Sequence, residues 1–330
     1  MDHALVTDDI ELFCSPRGTW NLTVDEVGSH GADSHCVVIG DRSRVTARCS
    51  LWWRSVPRYL NHPVGVIGHY DATTAEAAAA LLATACRTLA EQGCSSAVGP
   101  MDGNTWRRYR LITERGPEPI FFLEPDHPHA SAAHFMENGF AVMANYFSSL
   151  TPDPSQHDPK AAQAAARLRE EGIRIRSLDQ NSFVDELRRI HSLALESFKD
   201  NFLYTPIGEA EFLAMYLPLQ PYIDPRLILI AEDHGSPVGF MVGLPDLLQA
   251  RAGKPVDTVI LKTVAVHPDY GRLGIGRALF AACHGTARRL GYGRAIFALI
   301  REDNVSAKLV PPGSHRIRRY TLFGKELTAS

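Results

Sequence analysis

The sequence predicts an α/β protein built as two halves of the same order. Strand-like, β-branched runs alternate with alanine- and leucine-rich stretches of helical period along the chain. The order strand–strand–strand–helix–strand–helix–strand occurs twice, as an internal duplication would give. Between the two lies TPDPSQHDPK, residues 151–160, three prolines with almost nothing apolar, which reads as a linker. The chain has 330 residues, 45% hydrophobic and 22% charged, enough for two domains that each bury a core.

In the first half HCVVIGD, VTARCSLWW and PVGVIGHYD read as strands. TAEAAAALLATACRTLAEQG follows as a long helix with a Thr start and a Gly stop. SSAVGPM is a strand, NTWRRYRL and ASAAHFMENGF are helices, and AVMANYFSSL is a strand. After the linker, AAQAAARLREEG is a helix ending at Gly172, and a strand runs on to Leu178. VDELRRIHSLALESF spaces Val184, Leu187, Ile190, Leu193, Ala194 and Phe198 as an amphipathic helix does, and GEAEFLAMYL predicts another. RLILIAED and SPVGFMVGLPD form a hairpin around His234-Gly235, and TVILKTVAV is the next strand. RALFAACHGTARRLGY is a helix stopped by Gly291, RAIFALI a strand, and DNVSAKL a short helix ended by Pro311-Pro312. RIRRYTLFGKEL closes the chain as a strand.

Composition excludes several classes. A formal net charge of -3 with scattered arginines does not suit nucleic acid or an anionic membrane as main partner. No apolar run approaches the ~20 residues of a membrane span. The first residues lack the basic-then-apolar order of a signal peptide, so a cytoplasmic protein is expected. Cys14, Cys36, Cys49, Cys86, Cys94 and Cys283 show no CxxC spacing and read as reduced thiols. The fourteen histidines show no HExxH, so no metal site is expected.

The chemistry concentrates in HPDYGRLGIGRALF, residues 267–280, between a strand and a helix. A helix start leaves backbone N–H groups unpaired and partly positive, and phosphate oxygens reach them only where no Cβ intervenes. Gly274 and Gly276 meet that condition, with Arg272 and Arg277 adding charge. The spacing is neither GxGxxG nor GK(S/T), so the dinucleotide and nucleoside-triphosphate fingerprints fail.

VAVHPDYGRLGIGRAL, followed by a helix, a strand and REDNVSAKL, resembles the GCN5-related N-acetyltransferase (GNAT) family. That family's Gln/Arg-x-x-Gly-x-Gly/Ala motif follows its fourth strand and binds the pyrophosphate of acetyl-CoA. The resemblance covers residues 175–330 and is dense over 261–309. It implies two tandem GNAT folds, each a mixed, mostly antiparallel twisted sheet flanked by helices. Residues 1–150 would be a degenerate copy without a glycine loop, 151–172 a linker and helix, and 173–330 the active domain. It further implies that the segment Arg272, Leu273, Gly274, Ile275, Gly276 and Arg277 holds the pyrophosphate. Val264 and Val266 would flank the pantetheine arm, and Asn304 would open the next helix against the cofactor. The implied activity is transfer of an acetyl group from acetyl-CoA to a primary amine of a small molecule or protein, by direct attack, in a monomer or homodimer.

Departures from the motif are specific. Gly271 stands where the family has Gln or Arg, Lys262 where many relatives have a basic carboxylate, and Pro311 where many have an acidic tyrosine. Glu232 becomes the expected base, with Glu196, Asp233 and Asp257 as other carboxylates in the region, and Tyr320 the expected acid. The alternative is an acyl-CoA-binding sensor without turnover. FKDNFLYTPIGEAEFLAMY would form a flap over the acceptor, with Glu196 and Tyr204 binding the amine by charge and cation–π contact, or would be an ordinary helix pair. The cluster Trp106–Arg110 would either face the cleft between the halves or stack on itself at the surface. Valine at Gly274 or Gly276 is expected to abolish cofactor binding in a folded chain.

Overall fold

A computed structural model describes residues 3–15, 22–60, 62–152 and 159–327; residues 153–158 of the expected linker lie outside them. The strands are β1 (His3–Thr7), β2 (Ser34–Ile39), β3 (Val45–Trp52), β4 (Arg58–Tyr59), β5 (His62–Ala72), β6 (Ser96–Gly99), β7 (Leu111–Glu114) and β8 (Ala141–Thr151). They continue as β9 (Arg174–Ser177), β10 (Ile228–Asp233), β11 (Ser236–Pro245), β12 (Thr258–Val266), β13 (Arg294–Arg301) and β14 (His315–Glu326). The helices are α1 (Ile10–Cys14), α2 (Val24–Ser29), α3 (Ala75–Glu91), α4 (Ala130–Glu137), α5 (Pro159–Glu170), α6 (Phe183–Phe198), α7 (Glu209–Tyr216), α8 (Leu247–Arg251) and α9 (Ile275–Arg289).

Among the described residues these strands form one sheet, ordered β1-β2-β3-β5-β6-β14-β8-β13-β12-β11-β10-β9, with β4 beside β5 and β7 beside β14. Two pairs are parallel, β5 with β6 and β12 with β13, and the rest are antiparallel. The sheet is mixed, mostly antiparallel and flanked by helices, as expected. Its centre holds an exchange. β14, last in the chain, pairs with β6 through Phe323↔Gly99, while β8 pairs with β13 through Ile296↔Leu150. β8 and β14 also pair with each other, Tyr320 opposite Tyr146. Each half thus completes its sheet with a strand placed beside the other half's strands.

Strand periodicity sets the layers. In β10, Leu229 and Ala231 face α9 and α5, whereas Ile228 and Ile230 face α6. α9 lies directly on β11: a Cβ at Gly239 would stand 2.7 Å from Ile275 Cγ2, and one at Gly243 2.8 Å from Cys283 Sγ. In the first half, Leu81, Leu82, Ala85 and Leu89 of α3 pack on Cys36, Cys49, Leu51 and Ile67. No helix among the described residues is long and apolar enough to cross a membrane.

The expected helix at NTWRRYRL is instead a tight turn. The Asn104 side-chain oxygen accepts from the amides of Trp106 (3.0 Å) and Arg107 (3.2 Å), a local bond that competes with helix formation. Arg110 then takes a left-handed backbone, φ 70°, which no helix continues. The short elements β1, α1, α2 and α8 carry too few periodic residues to be read from sequence.

Candidate active site

The site begins where β12 and β13 part. Their parallel ladder ends at Leu261↔Phe297; beyond it β12 stays paired to β11 on its other side. β13 bends there because Leu299 adopts φ 60°, and Leu299 N donates to Ser148 Oγ at 3.0 Å instead of to β12. The divergence opens onto a cavity of about 600 Å³ walled by both halves.

The helix start sits beside it. Gly274 caps α9 with φ 80°, a conformation that favours glycine. Ala278 N, bonded to Gly274 O at 3.0 Å, begins the helical ladder, so the amides of Ile275, Gly276 and Arg277 precede it. The Leu273 amide is used otherwise, donating to Tyr270 O at 3.2 Å. A Cβ at Gly276 would meet Val266 Cγ2 at 3.6 Å and Val264 Cγ2 at 3.8 Å, ordinary contact, so the glycine leaves a free cradle against these two valines. A Cβ at Gly274 would stand 3.0 Å from Ala164 Cβ of α5, so valine there disturbs the fold itself and corrects the expectation of an intact chain. Arg272 is exposed and Arg277 half-buried at the same helix start.

Of the expected site residues, Val264, Asn304 and Tyr204 line the one cavity, and Val266 and Gly276 adjoin it through Val264. Asn304 caps the short helical turn Val305–Leu309 by accepting from Ser306 N at 3.1 Å. The Tyr204 ring lies tilted beside Trp106, centres 6.0 Å apart, and its hydroxyl is buried without a hydrogen-bond partner; burial, then Glu196, raises its pKa.

The expected acid and base lie elsewhere. Glu232 is held by Arg176 and Arg189, each at 2.7 Å, beside Glu186 and away from the cavity. Bonding to Arg176 chiefly, and to Arg189, keeps its carboxyl below the usual range, so it is a poor proton acceptor. Tyr320 is completely buried behind the cavity wall, bonded to Glu124 and to Ser148 Oγ at 3.0 Å. Burial and the Glu124 charge push its pKa up, against a role as proton donor. Glu196 is exposed and paired with Lys199 at 3.2 Å rather than facing the cavity.

The cluster Trp106–Arg110 faces the cavity, one of the two expected placements, while sequence reasoning missed that Lys262 and Arg301 join it in a cationic wall. Arg107, Arg108, Arg110, Lys262 and Arg301 line the cavity, with Glu124 as the carboxylate among the lining residues. Glu124 is occupied by Arg318 Nε at 2.9 Å and by Tyr320. Arg110 is 5% exposed, with its guanidinium carbon 3.9 Å from the centre of the Tyr109 ring and 4.2 Å from that of Tyr146. Its Nη1 donates to Leu299 O at 3.2 Å, joining two residues of left-handed backbone. Such conformations cost on the order of 1–3 kcal/mol each and persist where their surroundings impose them. Burial and the Arg110 charge pull the Lys262 ammonium down to about 8. A lone lysine in the β-branched run TVILKTVAV was the available signal.

Two elements clamp the halves over this cavity. Trp106 Nε1 donates to Thr205 O at 2.9 Å, and Arg107 Nε donates to Glu211 of α7 at 3.0 Å.

Residues 187–310 match the family described as Acetyltransferase (GNAT) family. A bacterial ceramide synthase of Caulobacter vibrioides is 25% identical over 189 residues, 56% of this chain and 49% of that protein. Protein YghO of Escherichia coli is 26% identical over 211 residues, 63% of this chain and 53% of that protein. The chain spans about half the length of these curated relatives. A GCN5-related N-acetyltransferase from Sphaerobacter thermophilus shares the fold at a TM-score of 0.52 and 14% identity, covering 99% of this chain and 96% of that one. Another from Anabaena variabilis gives 0.59 at 11% identity, covering 99% and 73%. The family match falls on the half that carries the parted strands and the glycine-capped helix, so residues 187–310 form a domain of the acetyltransferase (GNAT) family.

Proposed function

We propose that the chain is an acyl-CoA-dependent N-acyltransferase that moves an acetyl group from acetyl-CoA to a primary amine within a ternary complex. One observation carries this reading: β12 and β13 part beside a helix start that Gly276 leaves bare, and the gap opens onto a cavity shared by both halves. The amides of Ile275, Gly276 and Arg277 would bind the pyrophosphate, with Arg272 and Arg277 adding charge. Val264 and Val266 would flank the pantetheine, and Asn304 would steady its outer side. The neutral amine would attack the thioester carbonyl and form the C–N bond, the C–S bond would break, and the proton lost by nitrogen would pass to the departing thiolate or to solvent. Residues 1–150 act as a degenerate copy that walls the acceptor side, and 173–330 as the active unit joined through 151–172.

Tyr204 is the acceptor contact this reading favours. The name of the Caulobacter relative, a ceramide synthase, favours a second reading in which the donor carries a longer acyl chain. Release of free CoA from acetyl-CoA and from longer acyl-CoA, measured over a panel of primary amines, tests both. Turnover with one acceptor excludes a pure sensor. Tight acyl-CoA binding with no turnover on any amine contradicts the enzyme reading.

A further inference from the structure

We propose that Arg110 and Lys262 together receive an oxyanion, a carboxylate or phosphate, borne by the same molecule as the acceptor amine. The inference rests on the acyltransferase reading and names the acceptor's chemical class.

The argument is one of charge balance around the cavity. Three of its five cations are already paired: Arg107 with Glu211, Arg108 with Asp102 and Glu26, and Arg301 with Asp303. Glu124, the lining carboxylate, is spent on Arg318 and Tyr320. Arg110 and Lys262 have no carboxylate partner among the described residues. Arg110 is nine-tenths buried, its Nε has no hydrogen-bond partner, and among the described residues its guanidinium donates to the Leu299 carbonyl alone. Two tyrosine rings hold the guanidinium in place but do not neutralise it.

A buried, unneutralised cation beside a second one is unfavourable unless a counter-ion arrives. The cavity is where it can arrive, and Lys262 stands at the point where the strands part, two residues before Val264. The pyrophosphate belongs to the α9 end, past Val266, so it does not account for these charges. The planar fork of Arg110 and the point charge of Lys262 suit a carboxylate or a phosphate equally. Tyr204, whose buried hydroxyl lacks a partner on the same wall, supplies a third donor.

The test has a binding arm and a turnover arm. Thermal unfolding of the full chain is followed at constant ionic strength in acetate, inorganic phosphate or chloride. Acetate or phosphate should raise the midpoint over chloride in the wild type, and which of the two does so names the oxyanion. The rise should vanish in Lys262→Gln and in Arg110→Gln and persist in Arg301→Gln. Should Arg110→Gln fail to fold, Arg110→Lys, with a displaced charge, should reduce the rise. In turnover, serine against serinamide and phosphoethanolamine against ethanolamine should differ by on the order of 30-fold in kcat/KM for the favoured oxyanion. Lys262→Gln should bring that ratio close to unity. Equal midpoints in all three salts overturn the proposal. So does a Lys262→Gln loss that is the same for charged and neutral amines, since the pair would then serve the reacting oxygen. Calorimetry of acetyl-CoA on the same samples separates this from failure of the acyltransferase reading, because the salt arm reads the anion whether or not acetyl-CoA binds.

Discussion

The sheet contains two parallel pairs that part after short ladders, one in each half, and they end differently. β5 and β6 run as a ladder to Val66↔Val98, as β12 and β13 do to Leu261↔Phe297. In the first half the chain then fills its own gap. Met101 N donates to Ile67 O at 2.8 Å, and Asp102 Oδ1 accepts from His69 N at 2.6 Å. A Cβ at Gly68 would be 2.1 Å from Met101 O, so that strand passes against the plug with no room for another molecule. Behind it a buried chain links His30 Nδ1 to His69 Nε2 (2.7 Å), His69 Nδ1 to Ser50 Oγ (2.8 Å) and Ser50 Oγ to His35 Nδ1 (2.8 Å). One direction of donation satisfies all three contacts with neutral rings. In the second half the gap stays open beside a glycine-capped helix, while α3 in the first half is capped by Thr74, whose side chain accepts from Ala77 N. Parted strands become a ligand cleft only where the protein leaves the freed backbone groups without a partner of its own.

The largest expected effect is on the open side. Gly276→Val should weaken acetyl-CoA binding by at least about 100-fold, through a branched Cβ in the cradle. Its unfolding midpoint should stay near wild type, since the free protein has ordinary contact distance at that point. Gly274→Val should lose binding too, with stability reduced by about 1–3 kcal/mol for the left-handed backbone alone. Calorimetry with thermal denaturation of both variants distinguishes cradle from cap. Wild-type affinity in folded Gly276→Val would break the assignment.

On the plugged side, Asp102→Ala should cost about 1–3 kcal/mol, because it strips a buried acceptor from the His69 amide and from Arg108. Acetyl-CoA affinity should hold, and a second binding site appearing in calorimetry would refute the plug.

Acid should act on the same region. Burial first and nearby arginines second hold His30 down at about 3 and His69 at about 2. The unfolded rings protonate near pH 6.5, so below that pH the unfolded state binds more protons and stability falls as pH drops. His30→Gln should make that fall shallower in urea titrations from pH 7 to 4.

The smallest change belongs to Lys262. Its folded pKa, about 8, lies below the unfolded value near 10.5, so stability should rise as pH climbs through that window. Lys262→Met should flatten the rise and raise the unfolding midpoint modestly at pH 7 by removing one of two adjacent cations. A lower midpoint would show that the charge is already balanced in the free protein.

Local chemistry made much of this visible beforehand. The glycines at 274 and 276, the Thr-started α3 and the β-branched β12 each carry their cause within a few residues. The exchange of β8 and β14 does not, because pairing of Tyr146 with Tyr320 leaves no mark near either residue. Asn104 turned an apparent helix into a turn with one side-chain oxygen, which helix propensity does not register. Lys262 was noticed as a missing acid, and its meaning as a cation depends on Arg110, far away in the chain. Glu232 looked available until folding set Arg176 and Arg189 against it.

A structure of the chain crystallised with coenzyme A tests the central claim most directly. The account predicts the diphosphate on the amides of Ile275, Gly276 and Arg277, with the pantetheine arm entering between β12 and β13 along Val264 and Val266. Coenzyme A lodged between β5 and β6, or bound away from α9 with Gly276 uncontacted, would contradict it.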